Sequence, residues 1–307
     1  MDPALELVCV GHIVSEMIHF PDSIQGPVLG GPPAYCSVAA ARQGTATGLV
    51  TRIGPDMPSE LLKPFAEAGV DTLGVDASGQ TTQSVLVYDG CGNKEIRYPA
   101  KAAPLRASDL PESYRGCRLM YVCTMDCDVL PIDIPDLLAQ AEISAVDLGG
   151  YGGVHMSKAH RENLDSPAGL ARDVASCFNI VKASDEDAIA IFGQDDPDRS
   201  ARDLLDCGAE VVVITVGSKG ALIYTAEGKR AVPALPCAAI DTTGGGDSFM
   251  AGFLSEYLRT VDPIRSAQWG SATASWAIEQ SGGVRPERMP TFQQVRERAE
   301  AYYRSAT

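Results

Sequence analysis

Asp241-Thr242-Thr243-Gly244-Gly245-Gly246-Asp247-Ser248-Phe249-Met250-Ala251-Gly252-Phe253-Leu254 is the stretch on which the reading of this chain turns. Three consecutive glycines stand directly before a run with strong helical character. Glycines let the backbone turn so that several N–H groups converge on one point, and the helix that follows adds its positive end. Such a place holds an anion. Asp247 stands at the mouth of the same helix, so a carboxylate lies beside donors suited to negative charge. The combination matches phosphoryl transfer, in which the carboxylate takes the proton of an attacking hydroxyl while the amides hold the migrating oxygens. With an ordinary pKa of about 3.9, an aspartate would act there through position more than basicity. The same residues also suit a plain helix cap. Asp241 and the two threonines upstream tilt the reading to the anion site.

Outward from this stretch, short apolar strands alternate with amphipathic segments, the pattern of a parallel sheet covered by helices. Strands are expected at 7–11, 48–53, 119–122, 145–147, 180–183 and 211–216, with helices at 34–42, 59–68, 185–192, 198–206, 247–259, 263–278 and 292–303. One region breaks the alternation. Residues 84–88 and 94–98 have β character and flank Asp89-Gly90-Cys91-Gly92-Asn93, a hairpin with turn chemistry at its tip. A hairpin inserted into an α/β chain reads either as a lid over a cleft or as a static edge.

Composition narrows the classes. The chain has 307 residues and a formal net charge of -15, a surface that repels phosphate backbones and anionic lipid, so no nucleic-acid or membrane partner is expected. No apolar run approaches the ~20 residues of a membrane helix, and the N-terminus lacks the features of a signal peptide, which points to the cytoplasm. Nine cysteines without framework spacing read as reduced thiols. Cys123 and Cys127 form a close pair but lack the further ligands a metal would need. His12, His19, His155 and His160 form no i,i+4 pair and read as surface or core residues. The chain contains no GxxxxGK[ST] loop, GxGxxG fingerprint, GxSxG elbow or HExxH helix, which argues against P-loop ATPases, dinucleotide dehydrogenases, α/β-hydrolases and zincins.

Asp241 to Asp247 resembles the DTxGAGD signature of the ribokinase/PfkB carbohydrate kinases, with Gly245 where alanine is common. Three further segments follow in that family's order: Gly30-Gly31 with the small-residue run to Gly44, the Thr215-Val216-Gly217-Ser218-Lys219-Gly220 turn, and the hairpin at 84–98. The resemblance implies a ribokinase-like three-layer α/β fold, a mostly parallel sheet covered by helices, in one kinase domain over 1–307. Its small β lid would come from 84–98 and the N-terminal segments within 12–32. It implies Asp247 as catalytic base, Gly244, Gly245 and Gly246 as the anion hole, and Thr215, Gly217 and Gly220 on the ATP side. Gly30 and Gly31 would lie on the acceptor side.

The departures bear on the acceptor. Where sugar kinases of the family often read Gly-x-x-Asn-x-Asp, this chain has Gly11-His12-Ile13-Val14-Ser15-Glu16, and Pro32 and Tyr35 replace the ribokinase-like Lys and Asn. A ribose-type hydrogen-bonding set is not preserved. The GGPxxY form and Asp147-Leu148-Gly149-Gly150-Tyr151-Gly152 look more like the branch that includes inositol kinases. The expected acceptor is therefore a sugar, sugar derivative or inositol-like polyol, touching Glu16, Tyr35 and Asp147. Asp147 also reads as a turn aspartate.

The family's NxxE element appears as Ser184-Asp185-Glu186-Asp187. The resemblance gives Asp187 a water-mediated Mg²⁺ and Ser184 a place beside ATP, with Glu186 as the competing metal residue. It gives Asp241 and Thr243 a monovalent cation such as K⁺. The 280–284 loop, Gly283 included, would complete that site and close over adenine. A homodimer through the lid belongs to the same picture. A nucleoside kinase and a non-catalytic ligand-binding relative are the alternatives.

Overall fold

The computed structural model describes residues 5–89 and 94–303. The strands are β1 (Leu7–Val10), β2 (Val14–Phe20), β3 (Ser23–Gly30), β4 (Thr47–Arg52), β5 (Asp71–Asp76), β6 (Thr82–Tyr88), β7 (Lys94–Ala100), β8 (Cys117–Cys123), β9 (Ala141–Asp147), β10 (Ile180–Ser184), β11 (Val211–Thr215), β12 (Ala221–Thr225) and β13 (Gly228–Val232). The helices are α1 (Pro32–Arg42), α2 (Lys63–Ala68), α3 (Ile134–Leu138), α4 (Lys158–Glu162), α5 (Pro167–Ala175), α6 (Asp185–Phe192), α7 (Pro197–Asp206), α8 (Gly245–Thr260), α9 (Pro263–Ala277) and α10 (Phe292–Tyr303).

Nine strands form one sheet in the order β13-β12-β11-β10-β9-β8-β1-β4-β5. It is parallel from β11 to β5, with β12 and β13 joined antiparallel at one edge. Side chains along each strand alternate between faces. Leu7 and Cys9 point into a core shared with α1 and α8. Val8 and Val10 point into a second core shared with α3, α5 and α7. Apolar cores on both faces make the three-layer α/β arrangement that the ribokinase-like reading implies.

The other four strands form a separate sheet, β3-β2-β6-β7, over the C-terminal ends of the main strands. It is the lid, and it is built from two hairpins. The second matches the expected hairpin at 84–98, whose tip at 90–93 lies outside the described residues. The first, β2–β3, is not legible as strands in the sequence. Gly26 and Pro27 interrupt β3, and its exposed residues lack an apolar alternation. β2 is held in place by parallel pairing with β6, a contact between residues about seventy positions apart. A small core of Val14, Ile18, Leu86, Ile96 and Met125 joins lid and body.

The cysteines among the described residues are free thiols; Cys91 lies outside them. Among the described residues no helix is long and apolar enough to cross a membrane.

Candidate active site

The mouth of α8 sits at the carboxyl edge of the parallel sheet. Gly244, its N-cap, has φ 74°, a conformation open to glycine and strained for other residues. Space forbids a side chain too, since a Cβ there would fall 2.2 Å from the Tyr35 ring. Tyr35, on α1, is 2% exposed and forms the floor beneath the glycine turn. The three glycines are not equivalent. Gly245 turns its N–H back to the Thr242 carbonyl at 3.0 Å. The expected anion hole is thereby narrowed to the N–H groups of Gly244, Gly246 and the rest of the first helical turn, where intrahelical acceptors are lacking by construction. Gly244, Gly245, Gly246 and Asp247 all line one cavity of about 630 Å³.

The same cavity is lined by Thr215, Gly217, Gly220 and Ser184, and by an acidic edge of Asp185, Glu186 and Asp187. Gly220 holds φ 100°, and a Cβ on it would strike the Val232 carbonyl oxygen, so this turn also requires glycine. One stretch of the wall is apolar: Leu235, Pro236, Ala239, Phe249, Ala274 and Ile278.

Beneath the helix mouth lies a cation that the sequence reading passed over. Lys182, in the middle of β10, is 3% exposed. Its Nζ bonds Asp147 Oδ2 at 2.8 Å and approaches Asp187 Oδ2 at 3.8 Å. A Cβ on Gly246 would stand 3.6 Å from this ammonium. Burial pushes the Lys182 pKa down, but the Asp147, Asp187 and Asp247 carboxylates outweigh it and hold the group above the ordinary lysine value. Asp187 is the counterpart. Burial raises it, yet Lys182, His155 and backbone donors hold its carboxyl below the usual range. Asp187 and Ser184 form a capping box on α6: Ser184 donates N–H and Oγ–H to Asp187 Oδ2, each at 2.7 Å, and accepts the Asp187 N–H. Asp187 Oδ1 accepts from Val154 N–H. Asp147 is wholly buried, with Oδ1 on the Gly149 N–H and Oδ2 on Lys182.

Behind the turn is a second buried cation, Arg288, fully shielded from solvent. Its Nε donates to Ala277 O, Nη1 to Tyr35 Oη and Gly283 O, and Nη2 to Asp241 O and Thr243 O. Asp241 accepts from Thr243 N–H at 2.9 Å and from Gly282 N–H at 3.4 Å. Gly283 does not line the cavity. A Cβ on it would meet Leu29 O and Val28 of the lid, and the next residue donates from Val284 N to Leu29 O. A second tie joins lid to turn, a 2.9 Å hydrogen bond between the Tyr88 and Thr243 hydroxyls.

Under the lid, Glu16 is 3% exposed, and its Oε2 accepts from Ser84 Oγ at 2.9 Å. Gly30 lies flush against it, since a Cβ there would be 3.0 Å from Oε1, and Gly31 (φ 93°) abuts the His12 carbonyl. His12 and Asp128 pin the loop after β8 to the segment between β1 and β2 through His12 N–H···Oδ2 and a 3.4 Å approach of His12 Nδ1 to Asp128 Oδ1. Asp126 gathers Lys101, Ser157 and His160.

The chain matches the pfkB family carbohydrate kinase over residues 5–290. It belongs to that family. A cytidine kinase from Thermococcus kodakarensis is 30% identical over 83% of this chain and 89% of its own. Two solved structures share the fold. One is a Vibrio cholerae fructokinase double mutant with fructose, ADP and a potassium ion, at TM-score 0.81 and 20% identity, covering 98% of this chain and 100% of its own. The other is a pyrophosphate-dependent kinase of the ribokinase family with a pyrophosphate analogue and myo-inositol, at TM-score 0.77 and 17% identity, covering 92% and 98%.

Within this PfkB fold, the signature, the Thr215 turn and the Ser184–Asp187 segment meet at one cavity although they are far apart in sequence. Glu16, Gly30 and Gly31 gather under the lid, outside that cavity's lining. Asp147 and Tyr35 join instead the supports beneath the glycine turn. The buried cations around the helix mouth that the sequence did not bring out are Lys182 and Arg288. A lysine inside the apolar run Ile180-Val181-Lys182-Ala183 was a signal that could have been read, since buried lysines are rare without a partner. Arg288 sits in a polar, proline-flanked segment and carried none.

Proposed function

We propose that this PfkB kinase transfers the γ-phosphoryl group of ATP to a hydroxyl of a small polyol, of the sugar or cyclitol class. The observation that carries the reading is the meeting of Asp247, the open end of α8 and the Lys182 ammonium at one cavity. Asp247 draws the hydroxyl proton as the bond to phosphorus forms. The first-turn amides hold the equatorial oxygens, and the fixed positive charge of Lys182 stabilises them without reorganisation. The apolar wall from Leu235 to Ile278 supports a nucleotide donor over pyrophosphate, because a purine ring uses such a surface and an inorganic anion does not. The acidic edge of Asp185, Glu186 and Asp187 fits a water-held Mg²⁺. Among the described residues no group of three or more His, Cys, Asp or Glu converges on a metal, so the donor's phosphates would supply the inner ligands. When bound, that ion disperses phosphate charge.

The acceptor is placed against Glu16 and the Gly30–Gly31 backbone, with the lid excluding water. Asp147 and Tyr35 act on this reading by holding Lys182 and the glycine turn, not by touching the acceptor. Three tyrosines that a base pocket would draw on are already engaged. Tyr35 lies under Gly244, Tyr88 is stacked on Phe20 and bonded to Thr243, and Tyr98 donates to His155 O. That favours a polyol over a nucleobase-bearing acceptor. The 30% identity to a cytidine kinase favours a nucleoside and makes it the second reading.

A panel of cyclitols, sugars and nucleosides with ATP and pyrophosphate as donors separates these readings by product formation. Asp247→Asn is expected to lower turnover by about 10²–10⁴ with an unchanged melting temperature. Retention of more than about a tenth of wild-type turnover rejects the base assignment.

A further inference from the structure

The carbonyl oxygens of Asp241, Thr243 and Gly283 converge beside the Asp241 carboxylate, directly behind the glycine turn. Such a set of oxygens is a cation cradle, and a fructokinase with this fold holds a potassium ion. Here the three carbonyls already accept from one guanidinium. Arg288 places all five of its N–H donors: three on those carbonyls, one on Ala277 O and one on Tyr35 Oη. Its Nη2 stands 3.8 Å from Asp241 Oδ2, and its ζ carbon lies 5.6 Å over the Tyr35 ring. A metal ion at the same oxygens would displace these bonds and sit against a fixed like charge that solvent cannot screen. The residues present do not fit a monovalent cation.

We propose that Arg288 is a built-in substitute for the monovalent cation, and that this kinase needs no potassium. The consequence follows from connectivity. The guanidinium ties Asp241 and Thr243, in the first half of the signature, to the Gly283 loop, and that loop is joined to lid strand β3 through Val284 N–H to Leu29 O. The arginine therefore holds the turn in its anion-binding shape with covalent permanence, where a metal would do so only when bound. Arg288 is a positioning residue, since it is sealed from the cavity by the turn it supports.

The test uses wild-type protein in KCl and in choline chloride at equal ionic strength. Two quantities are measured: the ATP dissociation constant by calorimetry, and the melting temperature of the ligand-free chain. We expect the affinity to agree within about twofold and the melting temperatures to coincide. A K⁺-specific rise in either overturns the proposal. It rests on the ATP reading in the first measurement only. Failure to bind ATP in both salts rejects that reading, while the melting temperatures still decide the present one. In Arg288→Ala the cradle is vacated, so KCl should raise its melting temperature and ATP affinity where choline does not, a response that loss of packing alone cannot produce. A foldable Arg288→Ala indifferent to K⁺ also counts against the proposal. If that variant fails to fold, the wild-type comparison stands alone.

Discussion

Two buried cations flank the mouth of α8, and they are held in opposite ways. Lys182 is a point charge among carboxylates, bonded to Asp147 and near Asp187, and it borders the cavity. Arg288 is a planar fork among backbone carbonyls, with every donor matched and no contact with solvent. An ammonium with carboxylates on one side can still attract an anion arriving on the other. A saturated guanidinium has no donor left to offer. The difference teaches that burial alone does not mark a functional charge; what matters is whether the partners exhaust its hydrogen bonds and where the remaining field points.

The largest way to break this contrast is Lys182→Met. It should cut turnover by at least about 10²-fold, as expected for loss of a preorganised charge at a developing anion, and destabilise the fold by about 3–5 kcal/mol because Asp147 and Asp187 are left buried without a cation. Single-turnover kinetics and urea titration measure the two effects. The pH dependence sharpens it. In the wild type, Asp187 and Asp126 are depressed, so their contribution is complete above the ordinary carboxylate range and is lost as pH falls through their lowered values. Lys182 is raised, so its contribution is complete below the ordinary lysine value and lost only as pH climbs through the raised one. In Lys182→Met, unpaired burial raises the carboxyls instead, and stability relative to the wild type should fall as pH rises from about 5 to about 8. A flat melting profile in the variant would break the comparison on the lysine side.

Next in size is Gly244→Ala, which meets both the left-handed φ and the Tyr35 ring. A loss of about 2–4 kcal/mol is expected by thermal or chemical unfolding. Tyr35→Phe removes the acceptor of one Arg288 N–H at 3.3 Å and should cost about 1 kcal/mol, with turnover per folded molecule unchanged. An effect on turnover above tenfold would move Tyr35 from support to acceptor contact. The smallest change is Tyr88→Phe, which cuts one lid-to-turn bond. It should raise the acceptor KM by about two- to fivefold and leave kcat within about twofold.

Much of this was legible along the chain, because the signals were local. The glycine turn and Asp247 are contiguous, and strands such as Val211–Thr215 announce themselves by unbroken β-branched apolar runs. The lid's second hairpin showed period-2 alternation with a turn between. The first hairpin did not: a Gly-Pro pair inside β3 reads as a break, and only the partner strand β6 makes β2 a strand. The edge strand β13 and the short strand β5 were likewise missed, their residues being largely exposed at the rim or interrupted by glycine, and β12 was missed although most of its residues are buried.

Composition and adjacent residues thus determined the class of fold, the glycine turn at the mouth of α8 and the acid beside it, since each depends on a few neighbouring backbone and side-chain groups. The tertiary structure alone decided that Asp147 faces Lys182 and that Arg288 reaches the Asp241 carbonyl. Those pairings join residues 35 and 47 positions apart, and a pairing across such distances is set by how layers pack, which no local pattern encodes.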